Sequence, residues 1–342
     1  MSDTITQMRR EIDEIPNAVE RLLTQGASSI QHSAQAIRAN DIRYLISVAR
    51  GSSDHASTYL KYSSELLLGL PMASVGPSVA SIYGSKLTVD GALCLSVSQS
   101  GKSPDIVRMT EMIKDAGAYT VALTNDASSP LGAVATSTVG ICAGPELSVA
   151  ATKTFVNSLV AGLWLLAEIK GEDGLKAAIH ALPGQLEDAT QTDWSAASQE
   201  VTGGSLFTLG RGPSWAAANE AALKFKETCQ IHAESYSSAE VLHGPVSIVG
   251  TDFPIIAFAA ADAAEESVAQ VADTLAGKGA KVFATTNKVK NAEVLPYVRT
   301  GHWLTDSIAI IVSFYAMVEA VAKMRGINPD TPRHLKKVTE TV

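Results

Sequence analysis

The sequence of 342 residues has few aromatic side chains, few cysteines and no excess of positive charge. Phe, Trp and Tyr make up 6% of the residues, which favours closely packed helices over an aromatic-rich β-sandwich. Lys and Arg number 27 against 35 for Asp and Glu, so the net charge is −8. An acidic surface repels phosphate backbones, and we therefore expect no nucleic-acid partner. Hydrophobic residues, at 46%, argue against a disordered chain.

The cysteines and histidines form no pattern that is typical of a disulfide or a metal site. Cys94, Cys142 and Cys229 lie far apart without a CxxC, and no HxxxH or HxH cluster stands near them. We therefore expect reduced thiols and no metal. The N-terminus, Met1–Glu14, has no signal-peptide pattern. The most apolar stretch, Ser307–Ala322, is predicted to be too short to span a bilayer and contains a glutamate. These features predict a cytoplasmic protein without a membrane association.

An internal repeat divides the chain into two halves. LISVARGSS at Leu45–Ser53 matches LFTLGRGPS at Leu206–Ser214, with Ser53 and Ser214 separated by 161 positions. DAGAYTVALTN at Asp115–Asn125 matches GKGAKVFATTN at Gly277–Asn287 at a separation of 162. Because both pairs keep nearly the same phase, we infer a duplication. The two halves are predicted to have the same fold.

Short apolar runs alternate with longer helical patterns in each half. The runs are apolar on both faces, which is typical of parallel strands covered by helices. The fold class is therefore predicted to be α/β, with two tandem duplicated doubly wound parallel-sheet domains, leading N-terminal helices and a C-terminal tail. The predicted regions are N-terminal helices at 1–40, a first domain at 41–172, a linker at 173–195, a second domain at 196–331 and a tail at 332–342. The predicted strands are Tyr44–Ala49, Ala73–Val75, Gly91–Val97, Tyr119–Thr124, Thr138–Ile141, Ser205–Leu209, Ile255–Ala259 and Lys281–Thr285, and the predicted helices are Ala56–Leu68, Pro104–Ala116, Thr152–Lys170 and Ser307–Met324.

One loop at the carboxyl end of a predicted strand has the composition of an anion site. It reads SQSGKSPD from Ser98 to Asp105, with Ser103 as a helix N-cap and Pro104 at the first helical position. Free N–H groups and the helix dipole favour negative charge there. Without a Walker-type lysine, a monophosphate is the favoured ligand. The alternative is a serine-rich helix cap that binds nothing.

The second half does not repeat this loop. Its equivalent, Ala259–Asp262, is poor in hydroxyls and ends in a carboxylate. If the halves arose by duplication, the first half is therefore the one that kept phosphate binding. The run Arg50-Gly51-Ser52-Ser53, after the first strand, could supply further hydroxyl contacts to a polyol.

Three further features are ordinary when each is taken alone. Glu220, Lys224 and Glu227 fall on one helix face, which most often is a solvated ion-pair face. His243, before Gly-Pro, is typical of a loop residue. The basic C-terminal segment around Lys337 is typical of a tail.

Taken together, the motifs SQSG, ELSVAATKTF, NEAALKFKE, IHAESY, AEVLHGP and TPRHLKKVT, in this order, resemble the sugar isomerase (SIS) family. The resemblance covers about Asp41 to Thr341 and is greatest to the isomerase half of glucosamine-6-phosphate synthase and to SIS-type amino-sugar-phosphate deaminases. It implies a phosphosugar substrate and no metal or organic cofactor. Ala151 stands where the synthase has a serine that lines the sugar site.

The resemblance also implies a role for each matching residue. The phosphate would bind to Ser98, Gln99, Ser100 and Ser103. Glu227 would move a proton between C2 and C1, His243 would open the sugar ring, Lys224 would stabilise a developing oxyanion, and Lys337 would meet the open-chain carbonyl. In the family the histidine comes from the neighbouring subunit, which implies a homodimer with His243 contributed across the interface. The remaining sugar contacts would come from Gly51, Ser52, Ser53, Val149 and Ala151.

The sequence leaves several functions open. The chain begins without the glutaminase domain of the synthase, and the favoured expectation is therefore deamination of glucosamine 6-phosphate to fructose 6-phosphate and ammonia. The enzymic alternatives are ammonia-dependent glucosamine-6-phosphate synthesis, a galactosamine-6-phosphate deaminase and a fructosamine-6-phosphate deglycase. The non-enzymic alternative is a phosphosugar-sensing module.

Overall fold

The computed structural model describes residues 5–201 and 203–337. Within these ranges the chain divides into two compact units. The first unit consists of Asn17–Glu146, Lys153–His180 and the tail from Lys336, and the second of the N-terminal residues up to Pro16, the segment Leu147–Thr152 and Ala181–Leu335.

The chain begins with three helices: α1 (Gln7–Asp13), α2 (Ile15–Gln25) and α3 (Ala27–Arg38). Within the second unit, the first N–H groups of α1 are satisfied by a distant carboxylate. The N–H groups of Gln7 and Met8 donate to Asp330 at 2.7 and 2.8 Å. A carboxylate at a helix N-terminus pairs with free N–H groups and with the positive end of the helix dipole. This contact therefore anchors α1 to the residues that precede the tail.

The first unit contains a parallel sheet of five strands in the order β2-β1-β3-β4-β5. The central strand β3 is buried at every position, and β1 at every position after its first. Strands buried on both faces are typical of a sheet with helices on each side. The sheet is formed by β1 (Tyr44–Val48), β2 (Met72–Ser74), β3 (Ala92–Val97), β4 (Tyr119–Thr124) and β5 (Ser137–Gly140), and the further helices of this unit are α4 (Ser52–Leu67), α5 (Ser78–Ser81), α6 (Pro104–Asp115), α7 (Pro130–Val134), α8 (Lys153–Lys170) and α9 (Asp173–His180).

The second unit contains a second parallel sheet of five strands, in the order β10-β9-β8-β6-β7. Read from the other edge, this is the order of the first sheet, because the first strand along the chain again lies between the second and the third. The strands are β6 (Ser205–Gly210), β7 (His232–Ser237), β8 (Pro254–Ala257), β9 (Lys281–Ala284) and β10 (Glu293–Val294), and the helices after α9 are α10 (Leu182–Thr190), α11 (Ser195–Glu200), α12 (Pro213–Cys229), α13 (Glu265–Ala276) and α14 (Trp303–Met324).

The predicted α/β class is confirmed, and each predicted strand lies within two residues of an observed one. Two strands were not predicted, β7 and β10. β7 carries a His, a Glu and two Ser among its six residues, so it lacks the apolar run that marks the others. The region predicted as a linker, 173–195, contains α9 and α10.

The apolar stretch near the C-terminus is a longer helix than the sequence predicts. α14 has 22 residues, and by length and composition it could cross a membrane. The prediction that this stretch is too short to span a bilayer is therefore wrong. However, 78% of its most apolar window is buried inside the protein. Packing against α12 and α10 in the second unit accounts for its composition.

Candidate active site

The predicted phosphate loop forms a pocket at the carboxyl end of the first sheet. The pocket has a volume of about 130 Å³ and is lined by polar side chains from three places in the first unit. They come from the loop after β1 and the first turn of α4, from the loop between β3 and α6, and from the C-terminal tail. These residues are Arg50, Ser53, Ser98, Gln99, Ser100, Ser103 and Lys337.

The loop between β3 and α6 has a backbone that only a few residue types allow. Gly101 has φ +62°, and a Cβ there would lie 2.1 Å from the Ser129 Oγ. The N–H of Gly101 donates to the Ser98 Oγ at 3.2 Å. Ser103 is the N-cap residue of α6, as predicted, but its hydroxyl makes no capping hydrogen bond. The Ser103 side chain thus lines the pocket without being used as a cap.

Arg50, which the sequence placed in a run of possible polyol contacts and not at the phosphate, contributes positive charge to this pocket. The Nε of Arg50 lies 2.6 Å from the Oδ2 of Asp105, whose side chain is fully buried at the start of α6. Such a charge-assisted hydrogen bond fixes the direction of the guanidinium. Of the neighbouring predicted contacts, Ser53 lines the pocket, whereas Gly51 and Ser52 do not.

The tail lysine reaches the same pocket through an ion pair. The Lys337 Nζ lies 2.7 Å from the Oε2 of Glu146, whose side chain is fully buried. The backbone N–H and the hydroxyl of Thr154 also donate to this carboxylate, at 3.1 and 2.6 Å. Taken alone, the sequence around Lys337 indicates only an ordinary basic tail, but the buried Glu146 carboxylate of the first unit pairs with this lysine. Glu146 belongs to the ELSVAATKTF motif and was not singled out from the sequence.

The second unit holds the predicted proton-transfer residues on α12. The expectation of a solvated ion-pair face is wrong, because the side chains of Glu220 and Lys224 are fully buried and that of Glu227 is 21% exposed. The Lys224 Nζ lies 3.2 Å from the Oε1 of Glu220 and donates a very short hydrogen bond to Glu227. The hydroxyl of Tyr315, on α14, donates to Glu220 at 3.3 Å.

The two carboxylates keep Lys224 charged. Burial alone would favour the neutral amine, but the charges of Glu220 and Glu227 outweigh it and raise the pKa of Lys224. A permanently charged ammonium with no exposed surface is suited to orienting Glu227. Glu227 is the member of this cluster that solvent, and hence a ligand, can reach.

The other predicted site residues lie elsewhere in the second unit. His243 is exposed and ends a short 3₁₀ helix, Glu240–Leu242. Val149 and Ala151 are half-buried residues of the segment Leu147–Thr152. The carboxylate of Glu11 on α1 fixes this segment by accepting the N–H groups of Leu147 and Ser148.

The sequence matches a known domain family and its members. Residues 40–168 and 203–294 match the profile of the SIS domain. The glutamine–fructose-6-phosphate aminotransferase (isomerizing) of Sulfolobus acidocaldarius is 30% identical over 337 residues. That match covers 96% of this chain but only 56% of the relative, so the chain spans little more than half of the relative's length.

Solved structures agree with this match. A candidate phosphosugar isomerase from Silicibacter pomeroyi is 62% identical and superposes with a TM-score of 0.92, covering 95% of this chain and 100% of that one. The glucosamine-6-phosphate deaminase of Thermotoga maritima shares the fold at 18% identity, with a TM-score of 0.76 and 98% and 100% of the two chains covered. The chain therefore belongs to the SIS domain family.

Proposed function

We propose that the protein is a phosphosugar isomerase whose phosphate site is the first-unit pocket. The observation that carries the proposal is the pocket itself: three serine side chains of the predicted loop, the Arg50 guanidinium and the Lys337 ammonium converge at the start of α6. Hydroxyls and cations at a helix N-terminus are what a phosphate monoester requires. The relatives named for fructose 6-phosphate and for phosphosugars support this ligand class.

The reaction we propose is a proton transfer between C2 and C1 of the open-chain sugar. Glu227 is the base, because it is the partly exposed carboxylate of the α12 cluster. Lys224 is a positioning residue that directs Glu227, rather than the oxyanion contact that the resemblance suggests, because its side chain is fully buried. His243, which is exposed, would open the ring by moving a proton from the anomeric hydroxyl to the ring oxygen. Lys337 would meet the open-chain carbonyl.

The substrate we propose is glucosamine 6-phosphate. In its open-chain form, transfer of the C2 proton to C1 and of an amine proton to the C1 oxygen turns the aldehyde into an alcohol and the C2 amine into an imine. Water then hydrolyses the imine to fructose 6-phosphate and ammonia. The same steps in reverse are ammonia-dependent synthesis, and a galacto-configured substrate or a fructosamine 6-phosphate would use the same groups.

We also infer that the two units arose by tandem duplication and that the enzyme is a homodimer.

Ammonia release across a panel of sugars tests this proposal. We expect release from glucosamine 6-phosphate, with slower release from galactosamine 6-phosphate and fructosamine 6-phosphate. The unphosphorylated amino sugars are the control, because they lack the group that the pocket binds. Tight binding of a phosphosugar without any turnover would favour the sensing module instead, and no binding of any phosphosugar would exclude both functions.

The phosphate site is tested by the double substitution Ser100→Ala and Ser103→Ala. Loss of donors to a charged ligand costs about 1.5–3 kcal/mol each, so we expect the loss of two donors to raise KM by at least about a hundredfold, with a smaller effect on kcat. Steady-state kinetics with glucosamine 6-phosphate measure both. Ser85→Ala, at an exposed serine of the same unit that does not line the pocket, is the matched control. An unchanged KM in the double variant would contradict the assignment.

A further inference from the structure

The two sheets place a helix N-terminus at corresponding positions. α6 follows β3 and α13 follows β8, and each of these strands is the third of its unit and lies at the centre of its sheet. Both helices have 12 residues. Glu265, the first residue of α13, stands 161 positions after Pro104, the first residue of α6, which is the spacing of the sequence repeat.

The two positions differ in what occupies them. At α6 the hydroxyls of the loop surround a pocket. At α13 the Glu265 carboxylate is surrounded by donors: the Arg299 Nη2 at 2.7 Å, the Lys288 Nζ at 2.9 Å and the Thr286 Oγ1 at 2.9 Å. The side chain of Glu265 is only 9% exposed. The anion at the N-terminus of α13 is therefore the carboxylate of Glu265, a group of the protein itself.

The Arg299 guanidinium is held by contacts other than the one to Glu265. The Nη1 of Arg299 donates to the carbonyl of Ala259 at 2.8 Å, and its Nη2 donates to the carbonyl of Thr285 at 3.1 Å. Both carbonyls follow the carboxyl ends of strands of the second sheet. Asp306 lies 3.5 Å from Arg299 on the other side. The fold therefore holds the guanidinium in place whether or not Glu265 is present.

The charge state of Glu265 agrees with its role as the bound anion. Burial acts to raise the pKa of this carboxyl, but the hydrogen bonds from Lys288 and Thr286 and the charge of Arg299 outweigh burial and hold the pKa below its usual value. Asp262, Glu266 and Asp306 are further acidic residues near Glu265, Lys288 and Arg299.

We propose that the second unit retains an oxyanion site that the carboxylate of Glu265 fills permanently. Removal of this carboxylate would leave Arg299, Lys288 and Thr286 around a space at the start of α13. A phosphate or sulfate ion, with its tetrahedral oxygens, can accept the same hydrogen bonds. Because Glu265 fills the second-unit site, each chain binds one phosphosugar, in the first unit. This stoichiometry rests on the proposed function.

The test uses Glu265→Ala in the full chain, with inorganic phosphate as the probe. We expect phosphate to raise the Tm of this variant saturably, by several degrees more than it raises the Tm of the wild type, because a ligand that binds only the folded state stabilises it. Sodium chloride at equal ionic strength is the reference. Glu266→Ala, at the exposed neighbour, is the matched control and should respond like the wild type. Adding Arg299→Met to Glu265→Ala should remove the extra stabilisation.

Two further measurements make every outcome decisive. In the Ser100→Ala and Ser103→Ala background, Glu265→Ala should still add its extra stabilisation by phosphate relative to the same background with Glu265, since this increment does not depend on the first-unit pocket, and failure of the proposed function would not affect it. If Glu265→Ala does not fold in chloride, its refolding yield in phosphate is measured, and recovery by phosphate supports the proposal. Equal responses of Glu265→Ala and wild type to phosphate, or equal refolding failure in both salts, would overturn it.

Discussion

Replacement of Glu227 by glutamine is expected to lower kcat by at least about a hundredfold while substrate binding survives. Glutamine preserves the shape of the side chain but cannot take up the C2 proton. The short hydrogen bond from Lys224 can pass to the amide oxygen, so the cluster on α12 keeps a partner for its buried ammonium. Steady-state rates and a binding titration with the same phosphosugar separate the loss of chemistry from a loss of affinity.

Two controls belong to this measurement. Glu266→Gln makes the same change at an exposed glutamate outside the cluster and should leave the rate unchanged. The Tm of Glu227→Gln shows whether the weakened buried ion pair has destabilised the second unit, because uncompensated buried charge is costly. A folded Glu227→Gln variant with wild-type kcat would show that Glu227 is only a member of an ion-pair cluster.

Substitution of the tail lysine, Lys337, is expected to lower turnover about as much as Glu227→Gln does. Lys337→Ala removes the cation that the tail brings to the pocket, and we expect nearly complete loss of turnover in a protein that still folds, with a lowered Tm because the buried Glu146 carboxylate loses its cation. Lys336→Ala removes the neighbouring, exposed lysine and should be much milder. Turnover and melting temperature measured for both variants decide between a reactive lysine and a structural one.

A substitution of Glu146, the partner of Lys337, tests the same ion pair from the other side. Glu146→Gln keeps one of the two oxygens that accept hydrogen bonds from Thr154 and removes the charge that pairs with Lys337. We expect turnover to fall less than in Lys337→Ala, because the lysine is still present but less well held.

A chain that ends at Pro332 should lose activity as Lys337→Ala does. An active, normally folded truncation would mean that the tail has no part in the reaction.

Most of the fold could be predicted because its strands are marked by composition. β3 and β4 are apolar on both faces, which only the centre of a covered parallel sheet explains. The start of α6 was equally clear, since an N-cap serine followed by proline is a local signal. The polar edge strand β7 carries no such signal, and its place depends on pairing with β6.

Without the family resemblance, the candidate site was predictable only where its chemistry is local in sequence. The loop from Ser98 to Ser103 is contiguous, and its residues could be selected from composition alone. The pairing of Arg50 with Asp105 spans 55 positions, and that of Lys337 with Glu146 spans 191, so neither has a local pattern. The burial of Lys224 was missed because a charged stripe at helical spacing normally faces solvent, whereas α12 packs between β7 and α14.

Solvent deuterium exchange into a bound phosphosugar tests the central claim most directly. The wild-type protein is incubated in D₂O with fructose 6-phosphate and, separately, with glucosamine 6-phosphate. NMR follows the replacement of carbon-bound protons by deuterium, at C1 of fructose 6-phosphate and at C2 of glucosamine 6-phosphate. We predict exchange at these carbons by the wild type and exchange at least about a hundredfold slower by Glu227→Gln. No exchange into either sugar by the folded wild-type protein, or equal exchange by the variant, would contradict the assignment of this chain as a proton-transferring phosphosugar isomerase.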